Sequence, residues 1–305
     1  MEKKEFTATA AERIDVELAK LLAMSRSQTT KEIKAGFVSV NGKTVDHASF
    51  TLKVGDVISY TPVDKPQEGI AKPDAPFVIP YVYKDEDIAI IDKPRGMVVH
   101  PAPGHENDTL VNYLFSQDES FDFDHEDTQN VRPGIVHRID KDTQGLLAIA
   151  ENPDTQSALQ NEIRQHEFHR LYLALVYGNV KDKKFKIDAP LTRPNHTVRR
   201  AKVDIYNGRE AITHCELLGT NGQVSLLKCS LETGRTHQIR AHLAYIGYPI
   251  VGDPLYGHRE EKIALKGQVL TAYSLSLIHP RTLKRMTFYT PIDDYFKEVL
   301  RYFFR

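Results

Sequence analysis

The spacing of apolar residues follows first a helical and then a strand period, which predicts a small mixed module at the start of the chain. Apolar residues at positions 14–22 recur at intervals of three and four, as in an amphipathic helix. Residues 25–36 begin with a serine N-cap and end in a glycine, which predicts a second helix. The Asn41-Gly42 pair between two apolar segments predicts a β-hairpin. Residues 1–11 are polar and are expected to form a frayed tail.

A proline-rich segment separates this module from the rest of the chain. Residues 62–76 contain four prolines and few apolar residues, which predicts an extended linker. The chain is therefore expected to form one domain at residues 12–61 and a second, larger domain at residues 77–305.

The pattern in the larger domain is mostly that of strands, with helices between them. Clear strands are predicted at residues 88–91 and 171–178, and an acidic surface insertion at 116–130. Three helices are predicted in this domain. One begins at residue 109, and the others span residues 153–168 and 294–304. Because there is no regular βαβ rhythm, the pattern predicts an α+β fold with a mainly antiparallel mixed β-sheet and flanking helices.

Composition and charge narrow the class of protein. The chain has 305 residues with 40 basic and 41 acidic side chains, which argues against a protein that coats nucleic acid indiscriminately. It remains compatible with RNA binding if the basic residues are segregated. The two cysteines, Cys215 and Cys229, lack metal-site spacing, so we expect a reducing cytoplasm and no structural zinc. No apolar run reaches the ~18 residues of a membrane helix, and no membrane partner is expected.

The densest group of residues capable of chemistry lies around Asp140. An apolar pair, Ile135 and Val136, leads into a polar patch in which basic residues flank this carboxylate, and an apolar strand follows. A charged group held at a turn between rigid elements is well placed for catalysis. The alternative is that Asp140 caps a helix starting near Lys141.

Two further segments carry candidate residues. Tyr172 lies in the strand at 171–178 and shares a face with Ala174 and Val176. Arg240 lies in a run of hydrogen-bond donors that follows a strand and a glycine turn. Taken alone, Tyr172 could be a packing residue and Arg240 a surface ion-pair partner.

Together these segments resemble the Rlu-type pseudouridine synthases. The run from His137 to Gly145 resembles the family motif around its catalytic Asp, and Tyr172 and Arg240 match the other motifs in the family's order. Additional markers are Lys93-Pro94-x-Gly96, Gly252-Asp253-x-x-Tyr256-Gly257 and His279-Pro280. Residues 12–61 resemble an S4 RNA-binding domain. The combination is similar to the branch of the family that modifies large-subunit ribosomal RNA.

The resemblance implies a role for each candidate residue. Asp140 would attack the ribose or take a proton from it, and Arg240 would keep Asp140 ionised. Tyr172 would stack on the uracil and help to remove the C5 proton, while Ile239 would form an apolar wall. Arg138 would fill the space that the extruded base leaves. The other residues expected to contact RNA are His137, Lys141, Arg199, Arg200 and Arg235, with Arg26 and Lys34 in the S4-like domain. For Arg199 and Arg200 a solvated surface run is an equal alternative.

The resemblance therefore implies isomerisation of specific uridines in RNA to pseudouridine, with 23S ribosomal RNA or a large-subunit precursor as the expected substrate. No metal or cofactor is expected, because the reaction is redox-neutral, and the enzyme is expected to be a cytoplasmic monomer. One alternative is a non-catalytic S4-type RNA-binding factor. Another is an N-glycosidase that uses Asp140 and Asp142, although residues two apart in an extended segment point to opposite faces.

Overall fold

The chain folds as two compact units, Met1–Gly69 and Ile70–Arg305. The computed structural model describes residues 3–22, 24, 26–61, 78–102, 104–117, 134–193, 200–257 and 263–305. The predicted linker at 62–76 lies outside the described residues, so the domain limits 12–61 and 77–305 stay predictions.

The first unit packs two helices on a small antiparallel sheet. Its elements are β1 (Lys4–Thr7), α1 (Ile14–Leu21), α2 (Arg26–Lys34), β2 (Val38–Val40), β3 (Lys43–Thr44) and β4 (Val57–Tyr60). The sheet has the order β1-β4-β2-β3. The hairpin predicted at Asn41-Gly42 is present, with φ of 51° and 78° as a type I′ turn requires. Ile14, Leu18 and Ile33 from the helices form the core with residues of the sheet.

The expectation of a frayed tail at residues 1–11 is wrong for Lys4–Thr7. This segment is strand β1, which pairs antiparallel with β4 from Lys4 opposite Tyr60 to Thr7 opposite Val57. A short polar edge strand carries little apolar periodicity, because backbone hydrogen bonds to β4 hold it and Phe6 is its one side chain that packs against the core. The sequence pattern alone therefore could not reveal it.

The second unit is built on one large sheet with helices against it. Its strands are β5 (Tyr81–Lys84), β6 (Ile88–Lys93), β7 (Gln144–Ala150), β8 (His169–Tyr177), β9 (Lys184–Asp188), β10 (Leu191–Thr192), β11 (Lys202–Val203), β12 (Ile212–Thr220), β13 (Val224–Leu231), β14 (Leu270–Ile278) and β15 (Arg285–Tyr289). Its helices are α3 (Leu110–Gln117), α4 (Pro153–Arg164), α5 (Gln238–Tyr245) and α6 (Asp294–Phe303). No helix in the described ranges has the length and apolar character needed to cross a bilayer.

The strand order explains how distant segments meet. The sheet runs β5-β6-β7-β14-β8-β13-β12-β9, and β15 pairs with the far end of β14. Only the short contact between β7 and β14 is parallel among these pairings. The predicted α+β fold with a mainly antiparallel mixed sheet is confirmed.

The predicted helices are present with one difference in length. The helix predicted at 153–168 ends at Arg164, because His166 adopts a left-handed φ of 61° that a helix cannot continue through. Asp293 caps α6 by accepting from the backbone N–H of Phe296. Phe296 and Val299 then pack on Leu175 and Tyr177 of the sheet. The predicted acidic insertion lies outside the described residues from position 118 onward.

Gly145 allows β7 and β14 to approach closely, and its replacement tests the importance of that contact. Gly145→Ala is expected to lower the free energy of unfolding by at least ~2 kcal/mol. A Cβ at this position would lie 2.3 Å from the carbonyl oxygen of Ala272, and the φ of +128° is strained for other residues. Gly219→Ala is the matched control, since nothing lies within 4 Å of a Cβ there. Urea unfolding checks both variants, and equal stabilities would contradict the prediction.

Candidate active site

A cavity of about 520 Å³ opens in the second unit where three segments converge. They are the loop that precedes β7, the first half of β8, and the loop and helix that follow β13. Asp140, Tyr172 and Arg240 each come from a different one of these segments, and all three line the cavity. The structure therefore brings together the three residues that the sequence predicts as catalytic.

Asp140 is the carboxylate at the centre of the site. Its backbone carbonyl accepts from the N–H of Thr143, and this turn leads directly into β7. No helix follows Asp140 in the described segment, so the alternative role as a helix cap is wrong. The side chain is 18% exposed, and its Oδ2 accepts from Nη1 of Arg240 at 2.9 Å. The carboxylate is thus held by a cation while still facing the cavity.

Arg240 is fixed by a second carboxylate behind it. Its Nε and Nη2 donate to Oδ2 and Oδ1 of Asp253 at 2.7 and 2.9 Å. The Asp253 side chain is fully buried, and its Oδ1 also accepts from the backbone N–H groups of Leu255 and Tyr256. Burial would lower the pKa of Arg240, but the hydrogen bonds that it donates to Asp253 and the charge of Asp140 raise the pKa above its ordinary value. The alternative of a surface ion pair is wrong for Arg240, whose side chain is only 5% exposed.

The loop that carries Asp140 is hydrogen-bonded to the buried side chain of Lys93. Nζ of Lys93, which is completely buried, donates to the carbonyl oxygens of Pro94, Met97 and Lys141. Burial and the nearby charge of Arg95 lower the pKa of Lys93 to about 7. The contact with the carbonyl of Lys141 ties the turn that carries Asp140 to Lys93.

Gln238 fixes the other side of the cavity. Its Oε1 accepts from the hydroxyl of Thr233 and the backbone N–H of Arg235, and its Nε2 donates to the carbonyl of Ile212. These bonds attach the loop after β13 and the start of α5 to strand β12. As a result Ile239, in the first turn of α5, has a fixed place on the cavity wall.

Tyr172 forms part of the apolar surface of the cavity. It lies opposite Cys229 on β13 and Ala272 on β14, on the same face of β8 as Ala174 and Val176. The residue is 6% exposed, and burial raises the pKa of its hydroxyl. A flat aromatic side chain here and the aliphatic side chain of Ile239 can enclose an uncharged planar base.

The basic residues predicted to contact RNA differ in their position at the cavity and in their contacts. Arg138 is exposed on the cavity wall, and Lys141 is exposed with Nζ 3.2 Å from Nε2 of His105. Arg235 also lines the cavity, and its Nε donates to the carbonyl of Glu210. The guanidinium of exposed Arg200 lies 4.9 Å from the ring centre of Tyr256, whereas Arg199 lies outside the described residues.

The predicted RNA contacts in the first unit lie on or beside helix α2. Nη2 of Arg26 donates to Oδ2 of Asp15 at 3.0 Å, while the guanidinium remains 61% exposed. Lys34, the last residue of α2, is exposed. Both cations are accessible to a ligand of this unit.

His137 differs from the other predicted RNA contacts because it is buried. Its Nε2 accepts from the backbone N–H of Ala148, and its ring packs edge-on against Phe168 at 5.1 Å. Burial and the charge of Arg170 lower the pKa of His137 to about 3, so the imidazole is neutral. Its proton must then be on Nδ1, which faces away from Ala148.

Three residues of the site had no role in the sequence analysis. Lys93 and Asp253 belong to quoted family markers, and their partners in the fold give them a function. Arg170 lines the cavity two residues before Tyr172, on the same face of β8. The alternation of the strand could have identified Arg170, since residues two apart share a face.

Asp85, Asp87 and His279 form the one cluster in the described residues that has a composition suited to a metal. Nε2 of His279 donates to Oδ2 of Asp85 at 2.9 Å, and its Nδ1 accepts from the backbone N–H groups of Arg281 and Thr282. Both ring nitrogens are already used. The cluster therefore links two turns and does not fit a metal centre.

Comparisons with known proteins agree with this site. Residues 87–245 match the family described as RNA pseudouridylate synthase, and residues 12–58 match the S4 domain. The chain is 40% identical over 292 residues to the uncharacterized RNA pseudouridine synthase YlyB of Bacillus subtilis, over 95% of this chain and 93% of that protein. It is 36% identical over 296 residues to ribosomal large subunit pseudouridine synthase D of Neisseria meningitidis, over 93% and 77% of the two chains.

Solved structures share the fold. The human RNA pseudouridylate synthase domain containing 1 aligns with a TM-score of 0.57 at 22% identity, over 70% of this chain and 83% of that chain. The two family matches define an RNA-modifying enzyme with an S4 domain. The chain belongs to the RNA pseudouridylate synthase family, and it is an RNA pseudouridine synthase.

Proposed function

We propose that Asp140 is the catalytic carboxylate of this pseudouridine synthase and that the substrate is large-subunit ribosomal RNA. The observation that carries the proposal is the chain of charges from Asp253 through Arg240 to Asp140, which ends at an open cavity. The hydrogen bond from Arg240 at 2.9 Å holds the Asp140 side chain in place at the cavity, where an activated nucleophile or base is needed.

In this reaction the N1–C1′ bond of uridine breaks and a C5–C1′ bond forms. Asp140 either attacks the ribose or takes a proton from it while the uracil detaches. The ring then rotates and C5 bonds to C1′. On the first route this breaks the bond between Asp140 and the ribose, and on the second the proton held by Asp140 returns to the ribose. C5 then loses its proton, and N1 gains one. The reaction is redox-neutral and needs no oxidant or reductant.

Enclosure of the uracil belongs to the same proposal. The target base must leave its stack, at a cost of about a few kcal/mol. Tyr172 would stack on the extruded uracil and help to remove the C5 proton, with Ile239 on the opposite side. Arg138, exposed at the cavity, would fill the vacated space in the RNA, because a planar guanidinium can stack on bases and bind phosphate.

The choice of ribosomal RNA rests on the relative from Neisseria meningitidis, whose name specifies the large ribosomal subunit. The S4 domain supplies a second RNA-binding surface, with Arg26 and Lys34 as contacts. We propose that the enzyme acts in the cytoplasm, where this substrate is found. We propose a monomer, because Asp140, Tyr172 and Arg240 of a single chain already come together among the described residues that line the cavity.

Incubation of large-subunit and small-subunit ribosomal RNA transcripts with the protein tests the proposal. The expected result is pseudouridine at defined positions of the large-subunit transcript only. Tight binding without pseudouridine would favour a non-catalytic RNA-binding factor, and release of free uracil would favour an N-glycosidase. The second alternative already lacks support, since Asp142 lies against Gly267 and is not among the described residues that line the cavity.

A further inference from the structure

Arg170 is a buried cation on the cavity wall. Unlike Arg240, it does not pair with a described carboxylate of the candidate active site. The residue is 8% exposed, and its Nε is buried without a hydrogen-bond partner. Within the segments that the structure describes, Arg170 has no ion pair, whereas Arg240 in the same cavity contacts two carboxylates. The two arginines therefore differ in their charge partners.

Stability of the fold does not explain Arg170. A buried charge without a partner loses its hydration and gains no ion pair in return, at a cost of about several kcal/mol. Burial accordingly lowers the pKa of Arg170, even beside the hydroxyl of Tyr172. An apolar side chain would fill the same place without this penalty. A ligand that brings a negative charge would remove it.

The surroundings of Arg170 offer hydrogen-bond donors. Its guanidinium carbon lies 5.8 Å from the ring centre of Phe168, and His137 packs on the same ring. Nδ1 of His137, which carries the proton, is likewise buried without a partner among the described residues. A uracil edge presents an N3–H donor between two carbonyl groups and would leave that N–H unpaired here. A phosphate presents acceptors only and fits donors of this kind.

Gly234 keeps the space beside the guanidinium free. A Cβ at this position would lie 3.0 Å from Nη1 of Arg170 and 3.7 Å from Nη2. The φ of Gly234 is not in the left-handed region, so the backbone itself does not require glycine. The missing side chain instead leaves the two outer nitrogens of Arg170 accessible from the loop side of the cavity.

We propose that Arg170 binds a phosphate group of the RNA strand at or next to the target uridine. The proposal rests on the proposed function, because it takes Tyr172 as the residue that stacks on the uracil. Residues two apart on one face of a strand are about 7 Å from each other. A base on Tyr172 thus places a phosphate of its own or the adjacent nucleotide within reach of Arg170. The planar fork of an arginine suits bidentate contact with phosphate oxygens.

Arg170→Gln tests the proposal, with Arg285→Gln as the matched control. Arg285 is also an arginine of the second unit, but it is 40% exposed and paired with Glu167, and neither residue is among those that line the cavity. Fluorescence anisotropy with a large-subunit RNA fragment containing a mapped pseudouridine site measures affinity over a range of salt concentrations. We expect Arg170→Gln to weaken binding about tenfold and to reduce the slope of log Kd against log salt by about 0.7–0.9. Arg285→Gln should change neither quantity.

Neutral methylphosphonate linkages placed one at a time around the target uridine identify the contact. One such linkage should weaken binding to the wild-type protein and have no further effect on Arg170→Gln, since the two changes remove the same contact. Equal losses for both proteins at every linkage would overturn the proposal. A normal Kd for Arg170→Gln combined with a slower turnover would also overturn the proposal. It would show that Arg170 acts through Tyr172 in catalysis and not by binding RNA.

Two further measurements separate the remaining explanations. Arg170→Gln should unfold at the same or a higher temperature than the wild type without RNA, whereas a structural role predicts a lower one. Inorganic phosphate at constant ionic strength should stabilise the wild type more than Arg170→Gln, because it offers the same acceptors to Arg170. If it stabilises only the wild type and no linkage effect is seen, the site takes free phosphate and the proposal fails. If the wild-type protein forms no pseudouridine, the proposed function is refuted. The contact between Arg170 and phosphate is still judged separately by the binding measurements.

Discussion

Asp140→Asn is expected to fold and bind RNA like the wild type and to form pseudouridine more than ~1,000-fold more slowly, a barrier increase of about 4 kcal/mol. The amide retains an oxygen that can accept from Arg240, so the geometry of the turn is preserved. It has no negative charge and can neither attack the ribose nor take a proton from it. Arg240 keeps its buried partner Asp253, so the variant has no new buried cation without a counter-charge.

Single-turnover pseudouridine formation on the large-subunit transcript measures this effect, with anisotropy for RNA affinity and circular dichroism for folding. Asp142→Asn is the control, because it removes a carboxylate two residues away that lies outside the described lining of the cavity. It should retain wild-type turnover. A residual rate above one tenth in Asp140→Asn would show that another group performs the chemistry.

Arg240→Met is expected to lower the free energy of unfolding of the second unit by about 3–5 kcal/mol and to abolish turnover. The variant leaves the fully buried carboxylate of Asp253 without the two charged hydrogen bonds that it now accepts. It also leaves Asp140 without the cation that holds it. Arg240→Lys should give an intermediate loss, because one ammonium group cannot reproduce the planar fork that joins the two carboxylates.

Urea unfolding followed by tyrosine fluorescence measures the change, since the chain has 14 tyrosines and no tryptophan. Arg285→Met, which breaks an exposed pair with Glu167, should cost less than about 1 kcal/mol. The double variant Arg240→Met with Asp253→Leu should recover stability but not turnover. Recovery of turnover would mean that Arg240 contributes only to folding.

The sequence predicts the centre of the site well, for reasons that particular residues illustrate. Asp140 follows an apolar pair and precedes an apolar strand, so its place at a turn beside the core is a local property. The alternation of apolar residues in β8 places Tyr172 on one face with Ala174 and Val176, and the packing of that face confirms the assignment. The pairing of Arg240 with Asp140 came from the family resemblance, because no local pattern relates residues 100 positions apart.

The rest depends on contacts that no local pattern records. Asp253 lies in a marker whose residues could be quoted, but its bidentate contact with Arg240 follows from tertiary packing. The alternation of β8 places Arg170 on the face of Tyr172, but only its burial in the assembled cavity shows that this cation has no carboxylate partner among the described residues. Strand β1 is recognisable only from its pairing with β4.

The position of β14 in the sheet has a consequence for the order of events during synthesis. β7 and β8 follow each other in the sequence, yet β14, nearly a hundred residues further on, lies between them. A growing chain that has emerged only as far as α5 already contains all three candidate catalytic side chains, but the strand that sets the spacing of two of them is still missing. Activity should therefore begin only near the completion of the polypeptide, after slow, long-range strand insertion.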